Sequence, residues 1–160
     1  MAGETPRIVS TLPQNRFKAA GVEFPRGWEV WFEGDYSEDG LARACQNADF
    51  LLCTPHPYVT RALIDRLPAL KMIQMVGAGY DRVDIAAAAE AGIVVANSPG
   101  SNATSVAEFT MACAIILQRR ILEGDQGIKQ GRYAAVREAL LQEGLDELPG
   151  TCFGLVGLGN

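Results

Sequence analysis

Histidine is almost missing from this chain: His56 is the only one in 160 residues. A histidine-based metal site is therefore excluded. The four cysteines, at positions 45, 53, 113 and 152, are too scattered for a CxxC ligand pair or a disulfide framework. They read as buried thiols in a reducing compartment. No run of lysine and arginine occurs, and 14 basic residues against 19 acidic ones leave a net charge of −5, so no nucleic-acid footprint is present. Long hydrophobic runs are absent too. The longest nearly apolar stretch, Phe109 to Leu117, is too short to span a bilayer. The opening residues, Met1 to Arg7, contain no apolar segment of the signal-peptide kind. These absences point to a cytoplasmic protein with no membrane partner.

The composition is that of a globular domain, with 48% hydrophobic and 21% charged residues. A disordered tail would need less of the first and more of the second. A chain of this length typically hides about two-thirds of its unfolded surface.

Short apolar runs recur along the chain, separated by turn residues and helical patterns. Arg7 to Ser10 opens as a strand, and residues 11 to 27, with Pro13, Gly21, Pro25 and Gly27, hold a short helix at most. Trp28 to Phe32 is aromatic and β-branched, a strand signal. Ser37 caps a helix running to about Asn47, and Ala48 to Thr54 is the next strand, stopped by Pro55 and Pro57. Thr60 caps a helix to Leu67, which Pro68 ends. Lys71 to Val76 forms a strand leading into Gly77-Ala78-Gly79. Asp84 caps a helix through Ala91, stopped by Gly92, and Ile93 to Asn97 is a fifth strand. The spacing then predicts a long apolar helix over Asn102 to Arg120, a weaker one over Gly124 to Gly144, and a last strand over Cys152 to Val156.

Strands that are apolar without alternation imply burial on both faces, hence a parallel sheet between helices. The expected class is α/β. A flavodoxin-like parallel-sheet domain occupies residues 1–100. Residues 101–160 supply a long helix and the first strand of an incomplete dinucleotide-binding domain. Gly157-Leu158-Gly159 after a strand is the opening of a G-x-G-x-x-G turn, where glycines let a pyrophosphate approach the backbone. An ordinary β-turn accounts for it equally. The third glycine, the following helix and an acidic ribose ligand are not in the sequence, so no tight dinucleotide binding is expected from this stretch.

Four motifs in order resemble the D-isomer-specific 2-hydroxyacid dehydrogenases: Val76-Gly77-Ala78-Gly79-Tyr80-Asp81-Arg82-Val83-Asp84; Ala91 to Gly100; Asn102-Ala103-Thr104-Ser105-Val106-Ala107-Glu108 with the apolar helix to Arg120; and Leu148-Pro149-Gly150 through Gly159. The similarity covers Asp49 to Asn160 well and the first 48 residues only by pattern. It implies a substrate domain and a Rossmann domain closing over a cleft. It also implies a homodimer formed through the cofactor domains, and hydride transfer between NAD or NADP and C2 of a small 2-hydroxy or 2-keto acid.

The resemblance assigns the substrate carboxylate to Val76, Gly77, Ala78 and Gly79, a loop whose consecutive amides are open without steric cost. Asn102 matches a family asparagine beside the active site, and asparagine is also a good helix N-cap. Thr104 would approach the nicotinamide, and Gly157 and Gly159 the pyrophosphate. The family's catalytic arginine, glutamate and histidine have no counterpart here, so this stretch alone is expected to be inactive. His56 lies between two prolines after an early strand and would at most line the pocket mouth. Glu108 reads as a structural group tying its helix to a nearby turn. Asp81 and Asp84 read as turn-forming and capping residues. An alternative implied by relatives of these enzymes is a non-catalytic NAD-sensing or dimerisation module. A flavodoxin-type or receiver module ranks last, because the glycine loop lacks hydroxyls and no early acidic cluster exists.

Overall fold

A computed structural model describes residues 5–157. The chain divides into two compact units, Met1–Ser101 and Asn102–Asn160. The first holds β1 (Arg7–Ser10), α1 (Gln14–Ala19), β2 (Glu29–Phe32), α2 (Glu38–Ala44), β3 (Phe50–Cys53), α3 (Arg61–Ile64), β4 (Met72–Met75), α4 (Ile85–Glu90) and β5 (Val94–Ala96). The strands form one five-stranded sheet in the order β2-β1-β3-β4-β5. Every pairing is parallel.

The helices start where the sequence places caps. The Ser37 hydroxyl accepts from Gly40 N, Thr60 from Leu63 N, and the Asp84 carboxylate from Ala87 N. β1 has the bounds its apolar run suggests, whereas β2 to β5 are each shorter by a residue or more, because flanking residues turn away from the ladder. One face of the sheet carries the core. Val9, Leu51, Cys53, Ile73 and Met75 pack with Leu41, Leu63, Leu67, Ala87 and Ala88, all buried. The opposite face is only half-closed. There Phe50, Leu52 and Met72 line an open apolar groove of about 330 Å³ with Ile8, Phe24 and Trp28. Burial on both faces thus holds for β1, the strand next to edge strand β2, where Ile8 and Val9 are both buried. In β3 and β4, buried and half-buried residues alternate. Three phenylalanines close the α1 end, with Phe17 4.9 Å from Phe24 and 5.8 Å from Phe32 by ring centroids.

The second unit is three helices, α5 (Ala103–Gln118), α6 (Ile121–Lys129) and α7 (Tyr133–Glu143). The single weak helix expected over Gly124 to Gly144 is two helices. Gly131, at φ 71°, breaks it in the left-handed conformation that favours glycine. Gly127 is buried directly against Val136, and this close approach joins α6 to α7. Arg120 holds a left-handed φ of 47° between α5 and α6, and its guanidinium bonds both Glu123 and Glu143.

Several expectations fail in this unit. No strand forms over Cys152 to Val156. Residues 151–157 have no ladder partner, and Val156 is fully exposed. A strand cannot persist without a neighbour to take its backbone hydrogen bonds. Cys45 and Cys53 are buried as expected, but Cys113 is only half-buried and Cys152 is exposed. No residue of α5 is buried, although its sequence is apolar nearly all round. Glu108 is exposed and makes no hydrogen bond or ion pair among the described residues, so it ties the helix to nothing. No helix among the described residues is long and apolar enough to cross a membrane.

Candidate acid-binding site

In a parallel sheet, ligands gather at the carboxyl ends of the strands. Here that rim is built by the loops leaving β1, β2, β3, β4 and β5. The loop after β4 is the glycine loop. The Val76 amide is committed to the ladder and donates to Cys53 O at 2.9 Å. The next two carbonyls are fixed from β5. Ser98 N donates to Gly77 O at 3.0 Å, and Asn97 Nδ2 to Ala78 O at 2.7 Å. Gln74 Nε2 caps Met75 O at 2.9 Å beneath them. With the carbonyls engaged, the amides of Gly77, Ala78 and Gly79 donate to no protein group among the described residues. Three consecutive amides without a protein acceptor, on a loop held by the carbonyls of Gly77 and Ala78, are open to a ligand. Their chemistry suits an anion with two oxygens, such as a carboxylate. Neither Gly77 nor Gly79 has a positive φ, so their use is the open approach to the backbone rather than a special turn.

The neighbouring loops are stitched to this one. Val59 and Val83 form an isolated parallel bridge. Val59 N donates to Arg82 O at 2.8 Å, and Asp84 N to Val59 O at 2.9 Å. Arg82 Nη1 donates to His56 O at 2.6 Å, and its guanidinium lies 4.5 Å over the Tyr58 ring. His56 in turn stacks on Tyr36, with ring centroids 6.3 Å apart and planes within 6°. The Tyr36 hydroxyl donates to Thr11 O at 2.9 Å. Thr11 and Thr54 share a buried hydroxyl contact of 3.0 Å, and Thr54 N donates to Thr11 Oγ1 at 2.7 Å. Tyr36 is aimed by the turn around it. Ser37 N donates to Asp35 Oδ1 at 3.0 Å, and Ser37 holds the Asp35 carboxyl below its ordinary range. Gly40 is required beneath it, since a Cβ there would lie 2.4 Å from the Asp35 carboxyl carbon.

The family model for the D-isomer specific 2-hydroxyacid dehydrogenase catalytic domain matches residues 8–148. The chain belongs to this family. A glyoxylate reductase from Thermofilum pendens is 36% identical over 123 residues, covering 77% of this chain and 36% of that protein. A D-3-phosphoglycerate dehydrogenase from Methanocaldococcus jannaschii is 34% identical over 131 residues, covering 82% of this chain and 24% of its own length. Among solved structures, the NAD-dependent formate dehydrogenase from Staphylococcus aureus in complex with NAD superposes with a TM-score of 0.67. The identity is 29%, over 82% of this chain and 45% of that one. An NADPH-dependent glyoxylate/hydroxypyruvate reductase from Sinorhizobium meliloti, at 24% identity, shares the fold with a TM-score of 0.70 over 97% of this chain and 47% of that one. The chain thus spans less than half the length of these relatives.

Of the residues singled out from the sequence, Val76, Gly77, Ala78 and Gly79 lie together in one loop, though Val76 has no free amide. Asn102, Thr104 and Gly157 belong to the second unit. Asn102 occupies the N-cap of α5, where its carbonyl accepts from Val106 N at 2.9 Å, but its side chain caps nothing. Thr104 is exposed on the first turn of α5. Gly157 is exposed at φ 88°, and Gly159 lies outside the described residues. No strand leads into Gly157 among the described residues. Asp84 caps α4, whereas the Asp81 side chain bonds no other group among the described residues. No metal-binding cluster of His, Cys, Asp or Glu exists among the described residues.

The sequence reading passed over Thr11, Tyr36 and Thr54, and held Arg82, Asn97 and Ser98 only within motifs, with no role of their own. Three of them, Thr11, Thr54 and Asn97, follow directly on strand ends. Their signal was positional: in a parallel sheet, the polar residues just past each apolar run converge on one rim.

Proposed function

We propose that this chain is the acid-binding part of an NAD(P)-dependent oxidoreductase. The reaction is hydride transfer between nicotinamide and C2 of a small 2-hydroxy or 2-keto acid. The observation that carries this reading is the row of free amides at Gly77, Ala78 and Gly79, on a loop whose carbonyls are engaged by Asn97 and Ser98. Family membership supplies the reaction class. In this reading the three amides hold the substrate carboxylate, and Val76 shapes the loop from the ladder. Asn102 orients the acid, Thr104 approaches the nicotinamide ring, and Gly157 and Gly159 approach the pyrophosphate. NAD or NADP is the cofactor of the complete protein. The residues described do not form its cradle, and the catalytic acid–base pair and arginine are not assigned to any residue here. The chain by itself is inactive and binds the dinucleotide weakly.

Gly77→Val tests the assignment. A Cβ at Gly77 meets nothing within 4 Å, so the fold tolerates the side chain, which then crowds the amides. Acid binding, followed by calorimetry with pyruvate, should disappear while the circular dichroism spectrum stays unchanged. Undiminished binding in a folded variant overturns the carboxylate assignment.

The apolar surface of α5 favours a self-associating role beside the enzymatic one. Phe109 is 70% exposed and Leu117 74% exposed, with Met111 and Val106 also open. The partner in this reading is a second copy, giving a cytoplasmic homodimer that uses neither nucleic acid nor membrane. The same surface serves a non-catalytic NAD-sensing or dimerisation module related to corepressors. Sedimentation should show association; a monodisperse monomer at high concentration argues against both forms.

A further inference from the structure

We propose that the free edge of β2 is a docking surface for a second copy of this chain, which adds its own β2 antiparallel and joins the two sheets. The surface lies in the first unit and is independent of the acid-binding loop and of α5.

β2 is an edge strand, paired on one side only, with β1. The ladder shows which of its backbone groups are engaged. Glu29 N donates to Pro6 O and Glu33 N to Ser10 O, both at 2.9 Å. Alternate residues of a strand face the same neighbour, so Glu29, Trp31 and Glu33 serve β1. Val30 and Phe32 therefore turn their N–H and C=O groups outward, and neither has another backbone partner among the described residues. Natural edges are blunted by lysine, proline or a bulge. β2 carries neither lysine nor proline, and its register with β1 is continuous. Its one charge, Glu29, pairs with Arg7 at 3.4 Å. The open backbone is flanked by the exposed rings of Trp28 and Trp31.

The charges select the partner's register. A closed pair of identical edges is antiparallel about a two-fold axis, and only the outward-facing residues form its hydrogen-bonded pairs. Three registers meet both conditions. With Phe32 of one copy opposite Val30 of the other, Glu29 of each copy meets Glu33 of the other. With Phe32 opposite Phe32, Glu29 meets Asp35. Like charges directly opposite one another resist pairing. With Val30 opposite Val30, no like charges meet. Glu29 then faces Trp31 of the second copy, and Trp28 faces its Phe32. Phe32 already packs on Phe17 and Phe24, at 5.8 Å and 6.2 Å between ring centroids, so Trp28 of the second copy extends that cluster. On the other face, Trp31 of the second copy meets a groove of about 540 Å³ lined by Arg7, Glu29, Arg43 and Ala44. Arg7 there supplies a cation for its ring. A four-residue edge falls short of the roughly 800 Å² per partner of a stable complex, so the pairing is weak and concentration-dependent.

Hydrogen exchange separates this edge from α5. The 160-residue chain is followed by sedimentation from about 10 μM to about 1 mM, with amide exchange read residue by residue by NMR. The Val30 and Phe32 amides should exchange freely in dilute solution and gain about tenfold protection as the dimer forms. Val30→Pro removes only an outward N–H, so the ladder to β1 survives. It should weaken the dimer about a hundredfold and leave Phe32 unprotected. Trp31→Lys, at an exposed position, should do the same without altering the backbone. Trp28→Ala should weaken the dimer about tenfold, and Glu33→Gln should leave it unchanged. Tighter pairing in Glu33→Gln overturns the register. Edge amides that exchange freely at every concentration overturn the proposal, even where the chain sediments as a dimer through α5. Edge amides protected in a chain that sediments as a monomer overturn it too, since a segment of the same chain then covers β2.

Discussion

The two units spend similar apolar material to opposite effect. In residues 1–101, side chains separated by dozens of positions meet, so that Val9, Leu41, Leu51, Leu63, Ile73 and Met75 all become inaccessible. Among the described residues of 102–157, only Gly127 and Val136 are buried, while Phe109, Leu117, Leu122 and Leu141 stay exposed. The difference is not one of hydrophobicity. A parallel sheet gives each helix a surface to lie on, and a short strand becomes useful once its neighbours satisfy its backbone. Among the described residues, helices α5, α6 and α7 have no sheet within their own unit. A close contact between α6 and α7 is a glycine against a valine. The unit that carries the glycine loop therefore has its own core, and the loop inherits that rigidity.

Leu51→Ala and Leu117→Ala should separate the units most sharply. Leu51 is fully buried at the centre of β3, so its truncation should cost about 3 kcal/mol in the first unit. Leu117 is 74% exposed, and its truncation should stay within about 0.5 kcal/mol. Both tryptophans, Trp28 and Trp31, lie in the first unit, so tryptophan fluorescence during urea unfolding follows that unit alone. A large shift of the fluorescence midpoint with Leu117→Ala, or none with Leu51→Ala, would break the comparison.

The same contrast explains what could be read from the sequence. The five strands, the caps at Ser37, Thr60 and Asp84, and the glycine loop were legible because each is a local signal: an apolar run, an oxygen three residues ahead of an amide, a Gly-x-Gly after a strand. The last strand was misread for a physical reason. Cys152 to Val156 has the composition of a strand, but strand formation depends on a partner, and the composition says nothing of one. The half-open sheet face was likewise illegible, since continuous apolarity in β3 and β4 does not say what covers Phe50, Leu52 and Met72. In the site, the free amides of Gly77 to Gly79 were foreseeable. The stitching by Arg82 and the stack of His56 on Tyr36 were not, because they join residues far apart in the chain.

Gly127→Ala should strike the second unit where α6 meets α7 most tightly around Val136. The new Cβ would stand 2.4 Å from Val136 Cγ2, and valine has little rotamer freedom with which to yield. Overpacking of this kind costs about 1–3 kcal/mol, offset by roughly 0.5–1 kcal/mol from replacing a helical glycine. The net loss should appear in helical ellipticity and leave the tryptophan transition in place. The double variant Gly127→Ala/Val136→Ala should recover most of it. If Gly127→Ala alone raises helix stability, the contact between α6 and α7 is looser than described.

The smallest expected effect sharpens the comparison through the thiols. In the first unit, burial pushes the Cys45 thiol up to about 12 and the Cys53 thiol up to about 11. An unfolded thiol ionises near about 8.5. Since the folded values are raised, the native state keeps its protons where the unfolded state releases them. This contribution is fully present below the unfolded value and is lost as pH rises through the folded ones. Between pH 8 and 9 each thiol should remove about 0.7 kcal/mol from the stability of the first unit. Cys45→Ala and Cys53→Ala should each flatten that slope by one thiol's share, whatever their cost at neutral pH. Iodoacetamide gives the matching contrast. The exposed Cys152 should be alkylated in the native chain, whereas Cys45 and Cys53 react only on unfolding. Mass mapping after a brief pulse reads this out. Early labelling at Cys53 would show that the end of β3, from which the His56 loop departs, opens far more often than a fully packed core allows.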